Sequence, residues 1–275
     1  MSGQRWEPST SGAPGGFEPG IAVDPMRLRR RVARACRILS VAGVLDGILG
    51  HVSARFDEHR MMVRCRGPRE RGLRFTTLAD VHAVDIAGGH PNEEGYAAPN
   101  ELPIHARVLA AREDVHAVVH AHPPASLLAG LAEVALPPMF GAFNIPAARL
   151  AEPGVPVFPR AALINGDALA DDLVATMGNA RVCLLRGHGI VTVGSSVEEA
   201  VVAAVNLEAL ARVAVGLAQL GVEPRPISSE DLGQLPDLGG GFNDGHSYRH
   251  LIAQAAADDV RLGLTDGLLE DPDDE

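Results

Sequence analysis

The sequence predicts an α/β fold: one domain in which a sheet is covered by helices. Three observations carry that prediction. Short runs rich in β-branched residues alternate with segments whose apolar positions recur at helical spacing. The 275 residues, 46% of them hydrophobic, suffice for one large core. No internal repeat divides the chain into modules. Because the aromatic share is only 4%, that core is aliphatic, chiefly Ala, Val and Leu.

Residues 1–23 are rich in Gly, Pro and Ser and have no hydrophobic period. They are expected to form a disordered tail ahead of a domain over 24–265, with an acidic tail over 266–275. Asp24 or Pro25 opens a helix in which Leu28, Val32 and Leu39 recur at helical spacing, ending near Gly43–Gly47. Short strands follow at His51–Phe56 and Met61–Cys65. The arginine-dense, glycine-punctuated RCRGPRERGLRFTT reads as a loop leading to a strand near Val81–Ile86. Pro99 precedes Glu101, and Ile104, Val108 and Ala111 continue at helical spacing, so Asn100 is the expected N-cap and Glu101 falls in the first turn. The apolar run HAVVHAHPPA then reads as a strand ending in histidines. Asp167–Met177 is a helix, Arg181–Leu185 and Ile190–Val193 are strands around His188, and a long helix runs from about Val197 to Leu220.

Charge and composition exclude several functions. A net charge of −11, with no dense basic run of nucleic-acid type, argues against a phosphate-backbone partner. No stretch approaches the roughly 20 uninterrupted apolar residues of a membrane span, and neither end reads as a signal peptide, so a cytoplasmic protein without a membrane partner is expected. Cys36, Cys65 and Cys183 are far apart and fit free thiols better than a disulfide framework. All 24 basic residues are arginine. Without lysine there is no Schiff-base chemistry, no internal aldimine with pyridoxal phosphate and no phosphate-loop lysine, so neither that cofactor nor a nucleotide is expected. If the protein makes or breaks carbon–carbon bonds, a metal must serve as the electron sink.

On a strand, His120 and His122 project from the same face about 6 to 7 Å apart, within reach of one cation. His116 shares that face but lies about 13 Å back along the strand, which makes it the poorer ligand. His188 sits in a Gly-His-Gly turn whose glycines let the ring reach a site built elsewhere. With Glu101 these residues form a His-His-His-Glu set suited to one divalent zinc, manganese, cobalt or ferrous ion per subunit.

The ordered motifs GHVSAR (50–55), FTT (75–77), PNELPIH (99–105), AVVHAHP (117–123) and LLRGHGIVTVG (184–194) together resemble the class II aldolase and adducin family, over about Arg27 to Leu220. The resemblance implies a three-layer fold in which helices cover a mainly antiparallel central sheet. It also implies a homotetramer with active sites at subunit contacts, metal ligation by His120, His122 and His188, and an acid–base role for Glu101, which can approach the metal in an empty site.

Sugar-phosphate members of the family hold phosphate with an Asn after the first motif glycine, a Ser-Gly after the Thr motif and serines before the Glu. Here those places read His51, Leu78 with Ala79, and Pro99 with Asn100, so the phosphate cradle is dismantled. In its place stand His51 and the arginines Arg64, Arg66, Arg69, Arg71 and Arg74, whose planar guanidinium groups suit carboxylates. Arg66, in the Arg-Gly-Pro turn, is the preferred binder, with Ser53 and Thr76 as further substrate contacts. GHVSAR with RCRGP, RGL and FTT resembles a branch acting on aromatic acids, including decarboxylases of hydroxylated aromatic dicarboxylates such as 3,4-dihydroxyphthalate. The expected activity is therefore metal-dependent decarboxylation of a small carboxylate in aromatic-compound catabolism. The alternatives are an aldolase on a hydroxy-carbonyl substrate, an iron oxygenase on an aromatic 2-oxo acid, or a noncatalytic adducin-like module. Glu101 is expected to deliver a proton and His51 to orient the departing carboxylate, while His105, one helical turn after Glu101, is open between supporting it and simple packing or surface placement. In GHSYRH, Tyr248 is a candidate acid or lid residue beside His246 and His250. Tyr96 is open between a site role and packing.

Overall fold

A computed structural model describes residues 24–89, 91, 94–236, 238 and 245–269. The tail expected over 1–23 lies outside the described residues, as do residues 270–275. The elements run α1 (Pro25–Val41), β1 (His51–Arg55), β2 (Arg60–Arg64), β3 (Val81–Asp85), α2 (Leu102–Ala111), β4 (Ala117–Ala121), α3 (Pro124–Leu131), α4 (Ile145–Ala151), β5 (Val157–Phe158), α5 (Asp167–Met177), β6 (Val182–Leu185), β7 (Gly189–Gly194), α6 (Val197–Gln219), α7 (Ser229–Gln234) and α8 (Ser247–Leu262).

The seven strands form one sheet in the order β3-β2-β1-β4-β7-β6-β5. It is a mixed sheet, which corrects the expectation of a mainly antiparallel one: the short edge strand β5 runs parallel to β6, while the other neighbouring pairs are antiparallel. The parallel edge arises because β5 reaches β6 through α5, a helical crossover rather than a hairpin.

Strand alternation sorts the side chains into two cores. Val52, Ala117, Val119, Ala121 and Ile190 face a layer containing α1, α3, α4, α6 and α8. Val63, Val118, Val191 and Val193 face the opposite layer, with α2 and α5. His51, Ser53 and His120 keep step with this second set. The active face is therefore the one under α2.

Local signals explain the helix starts. The Asp24 side chain accepts from Met26 N–H at 2.9 Å with Pro25 in the first turn, and Ser196 accepts from Glu199 N–H at 3.2 Å. Helix α6 is long and apolar enough to cross a membrane by composition, yet its apolar positions pack on β4, β7, α1 and α3 inside the fold. Glu208, buried in α6, accepts from Ala125 N–H, Ser126 N–H and the Ser126 hydroxyl at 3.0, 2.9 and 2.8 Å, closing the start of α3 just beyond His122.

The domain extends further than the expected boundary at residue 265. Buried Arg37 donates to the Thr76 carbonyl and to Asp259 at 2.8 and 2.7 Å, and also pairs with Asp266. Arg34 donates to the Leu268 carbonyl at 2.6 Å, and Leu268 and Leu269 are buried. Residues 266–269 are thus an anchored strap. Composition concealed it because its one acid, Asp266, answers an arginine far away in the chain. Cys36, Cys65 and Cys183 are buried free thiols, each pushed up to about 12 by burial.

Candidate metal centre

Three segments bring the chemistry together. His120 is the next-to-last residue of β4, His122 directly follows the strand, and the tight turn between β6 and β7 carries His188. Gly189 must lack a side chain here, since a Cβ at that position would run into the Ala121 carbonyl oxygen. Gly187, at φ +66, makes the turn itself. The ring centroids of His120, His122 and His188 lie 4.8 to 5.0 Å from one another. Glu101, at the start of α2, places its carboxylate 3.3 Å from His120 Nε2 and 3.4 Å from His188 Nε2. One ligand atom from each of the four residues falls within 4.8 Å of all the others.

The hydrogen-bond pattern fits a cation. A carbonyl only accepts, so the 2.9 Å contact between His120 Nδ1 and the Ile190 carbonyl puts the proton on Nδ1 and leaves Nε2 as a bare lone pair. That nitrogen faces His122 Nε2 at 3.0 Å as well as the Glu101 carboxylate. Acceptors converging in this way need a shared positive centre, and the N–N spacing matches two ligands each about 2.0 to 2.1 Å from a zinc-like ion.

Protonation follows the same logic. Burial lowers His122 to about 4, with help from the neighbouring His120 and His188 rings, so it is neutral at pH 7 and available to a cation. Burial alone would raise Glu101. The His120 and His188 rings, 3.3 and 3.4 Å away, and the Ile164 N–H at 2.9 Å outweigh it and hold the carboxyl far below the usual carboxylate range.

A cavity of about 300 Å³ opens beside these residues, lined in part by His51, Arg66, Asn100, Glu101, His122 and His188. Arg66 reaches it because a two-way backbone bridge to Ala97, 2.9 Å in both directions, ties the arginine loop to the segment entering α2. The other arginines of that loop are engaged elsewhere. Arg64 pairs with Glu70 at 2.5 Å, Arg74 pairs with Asp258 and Asp259, and Arg71 lies over the Phe75 ring. Arg69 and Arg71 line a separate depression with Tyr96, whose ring packs on His82.

Several expected roles change. Thr76 is fully buried, its hydroxyl donating to the Leu73 carbonyl at 2.8 Å and its own carbonyl held by Arg37, so it anchors the fold and does not line the cavity. Ser53 is also fully buried, behind His51, and contacts His105 rather than the ligand space. Tyr248 is buried in the apolar layer across the sheet from the cavity. His246 and His250 are exposed at the start of α8, and His116 sits at the far end of β4. Asn100 lines the cavity and does not cap α2; Glu101 holds the N-cap position without a side-chain cap bond.

Two contributions escaped the sequence. Residues 161–163 wall the cavity and the next, Ile164, fixes Glu101 through its backbone N–H, roles no residue type announces. His105 bonds His51 and Ser53 rather than Glu101, a contact visible only once α2 is laid across β1.

The Class II Aldolase and Adducin N-terminal domain matches residues 30–215. The chain belongs to this family. Within it, the chain is 50% identical over 229 residues to the 3,4-dihydroxyphthalate decarboxylase of Terrabacter sp. (strain DBF63), covering 82% of this chain and 96% of that protein. It is 43% identical to the 3,4-dihydroxyphthalate decarboxylase of Arthrobacter keyseri, covering 93% and 99%. Among solved structures, an aldolase II superfamily protein from Pseudomonas syringae superposes with a TM-score of 0.72 at 22% identity, over 86% of this chain and 95% of that one. That likeness establishes the class II aldolase fold.

Proposed function

We propose that this family member is a divalent-metal-dependent carbon–carbon lyase that decarboxylates a hydroxylated aromatic dicarboxylate, with 3,4-dihydroxyphthalate as the first candidate. The observation that carries it is the convergence of three imidazoles and one carboxylate on a cavity that also presents Arg66 and His51. The similarity to two decarboxylases of that name supports the choice of substrate.

His120, His122 and His188 would hold the ion; nitrogen ligands of this kind accept manganese, zinc, cobalt or ferrous iron. When bound there, it supplies an electron-withdrawing centre for the negative charge that decarboxylation sends to a phenolic oxygen. The protein's own groups do the rest. Arg66 binds a substrate carboxylate through its guanidinium fork, and His51 orients the carboxylate being lost. Glu101, ionised and anchored through Oε1 by Ile164 N–H, takes the phenolic proton and then gives it to the ring carbon bearing the departing group. The carbon–carbon bond breaks, carbon dioxide leaves, its electron pair restores the phenolate, and the product regains a proton from water.

A cytoplasmic homotetramer completes the reading. The decisive assay is carbon dioxide release from 3,4-dihydroxyphthalate with manganese, monitored beside oxygen uptake. Stoichiometric release without oxygen consumption is expected. Oxygen consumption would indicate an oxygenase, and cleavage of a hydroxy-carbonyl compound with no turnover of ortho-hydroxy aromatic acids would replace the decarboxylase with an aldolase.

A further inference from the structure

Behind the cavity wall, Ser53, His105 and His51 form one line of hydrogen bonds. Ser53 Oγ lies 2.7 Å from His105 Nδ1, and His105 Nε2 lies 2.9 Å from His51 Nδ1. We infer that the Ser53 hydroxyl sets the direction of this line and so makes His51 a hydrogen-bond donor, through Nε2–H, to a carboxylate in the cavity.

The direction follows from which atoms can give a proton. Ser53 is fully buried on β1 and bonds His105. A hydroxyl that only accepted from His105 would leave its own proton buried, with the full desolvation penalty of an unmade bond. Ser53 therefore donates to His105 Nδ1, which must be bare. Neutral His105 then carries its proton on Nε2 and donates it to His51 Nδ1. Neutral His51 in turn carries its proton on Nε2. Both rings are buried, and burial disfavours their charged forms.

His51 lines the cavity, and its ring centroid is 5.1 Å from that of the metal-binding His120. A donor in that place is complementary to an anion lying next to the metal position. The reverse polarity would offer a lone pair and repel a carboxylate. Ser53 and His105 are thus positioning residues, acting on the ligand only through His51. The choice of a substrate carboxylate rests on the decarboxylase reading above; the tautomer itself does not.

The test uses full-length, zinc-loaded protein carrying ¹⁵N-histidine, with His51→Asn to identify the signal. Nitrogen NMR is expected to show a bare Nδ1 and a protonated Nε2 on residue 51 in the unmutated protein. Ser53→Thr should preserve this pattern and Ser53→Val should lose it; the two side chains share a shape and differ in the hydroxyl. With manganese, Ser53→Val should lower kcat/KM for 3,4-dihydroxyphthalate roughly tenfold relative to Ser53→Thr, mainly through KM, as expected for one hydrogen bond to a charged group. A protonated Nδ1 on His51 in the unmutated protein would overturn the inference, and that measurement needs no variant to fold. Identical tautomers and kinetics in the Thr and Val variants would overturn it as well. The expected tautomer without any turnover of dihydroxyphthalate would support the hydrogen-bond line while removing the decarboxylase reading.

Discussion

Glu208→Ala is expected to weaken both the fold and the metal site, although residue 208 touches neither metal ligand nor cavity. Helix α3 begins with Pro123 and Pro124, which have no N–H, so Ala125 and Ser126 supply its first donors. The Glu208 carboxylate, 3% exposed, takes both of them and the Ser126 hydroxyl. Removing it leaves three buried donors without an acceptor. Each such orphan costs about 1 to 3 kcal/mol, and with water entering the gap the total should be about 3 to 5 kcal/mol. Ser126→Ala, which removes only one of the three bonds, should cost about 1 kcal/mol. His122 directly precedes Pro123, so loosening this turn should also weaken zinc binding by about tenfold, the scale of supports standing behind metal ligands. Urea unfolding of metal-free protein gives the first quantity and zinc titration calorimetry the second. If Glu208→Ala lost less than about 1 kcal/mol and bound zinc with unchanged affinity, the account of how α3 positions His122 would be wrong.

Four other outcomes are expected. His122→Ala should lose its metal on dialysis, measured by elemental analysis, and at least about 100-fold of its activity. Glu101→Gln should retain metal, read from the same analysis, while kcat falls about 10² to 10⁴-fold; an unchanged kcat would refute its proton-transfer role. Arg66→Lys should raise KM about tenfold with a smaller change in kcat, because an ammonium cannot reproduce the guanidinium fork. The metal-free protein should lose stability in acid. His122 and His105 stay neutral in the fold, with pKa values lowered by burial to about 4 and about 3, whereas the unfolded chain takes up their protons near the ordinary histidine value of 6.5. The unfolded state therefore binds more protons below that pH, and stability should fall by up to about 1.4 kcal/mol per pH unit for each histidine as pH drops from about 6.5 toward 4. Glu101, depressed in the fold, adds to the loss below its ordinary value of 4.5. Urea midpoints that stay flat from pH 7 to pH 4.5 would contradict this.

Much of the site was legible because its chemistry is written in residue types with fixed spacing. His120 and His122 two apart on a strand, His188 between glycines and Glu101 at a helix start need only the periodicities of strand and helix to be brought together. The roles of Thr76, Ser53 and Tyr248 were not legible in the same way. Polarity in a motif announces importance but not direction, and none of these side chains lines the cavity. The five arginines of residues 64–74 look alike in sequence. Only tertiary contacts, with Glu70, Phe75, Asp258 and Asp259 on one side and the cavity on the other, separate Arg66 from the rest. The parallel strand β5, two residues long, carries too little pattern to set its direction. The strap at 266–269 was hidden because burial of Leu268 and Leu269 depends on arginines more than two hundred residues away.

The cross-strand register explains how one framework can retain its metal ligands while its substrate changes. His51 pairs directly with His120 across β1 and β4, so a side chain at the head of β1 stands about one cross-strand spacing from a metal ligand. The three candidate ligands are held by other means: the Ile190 carbonyl for His120, the Glu208-closed turn after His122, and the glycine turn for His188. Residue 51, the Arg66 loop and the 161–163 wall carry none of that load. A substitution among them alters what lies beside the metal without moving the three nitrogens, which is the structural condition for a family that supports both aldol cleavage and decarboxylation. On the decarboxylase reading proposed above, residue 51, the Arg66 loop and the 161–163 wall are where specificity would be set, with His51, hydrogen-bonded to His105, as the proposed carboxylate donor.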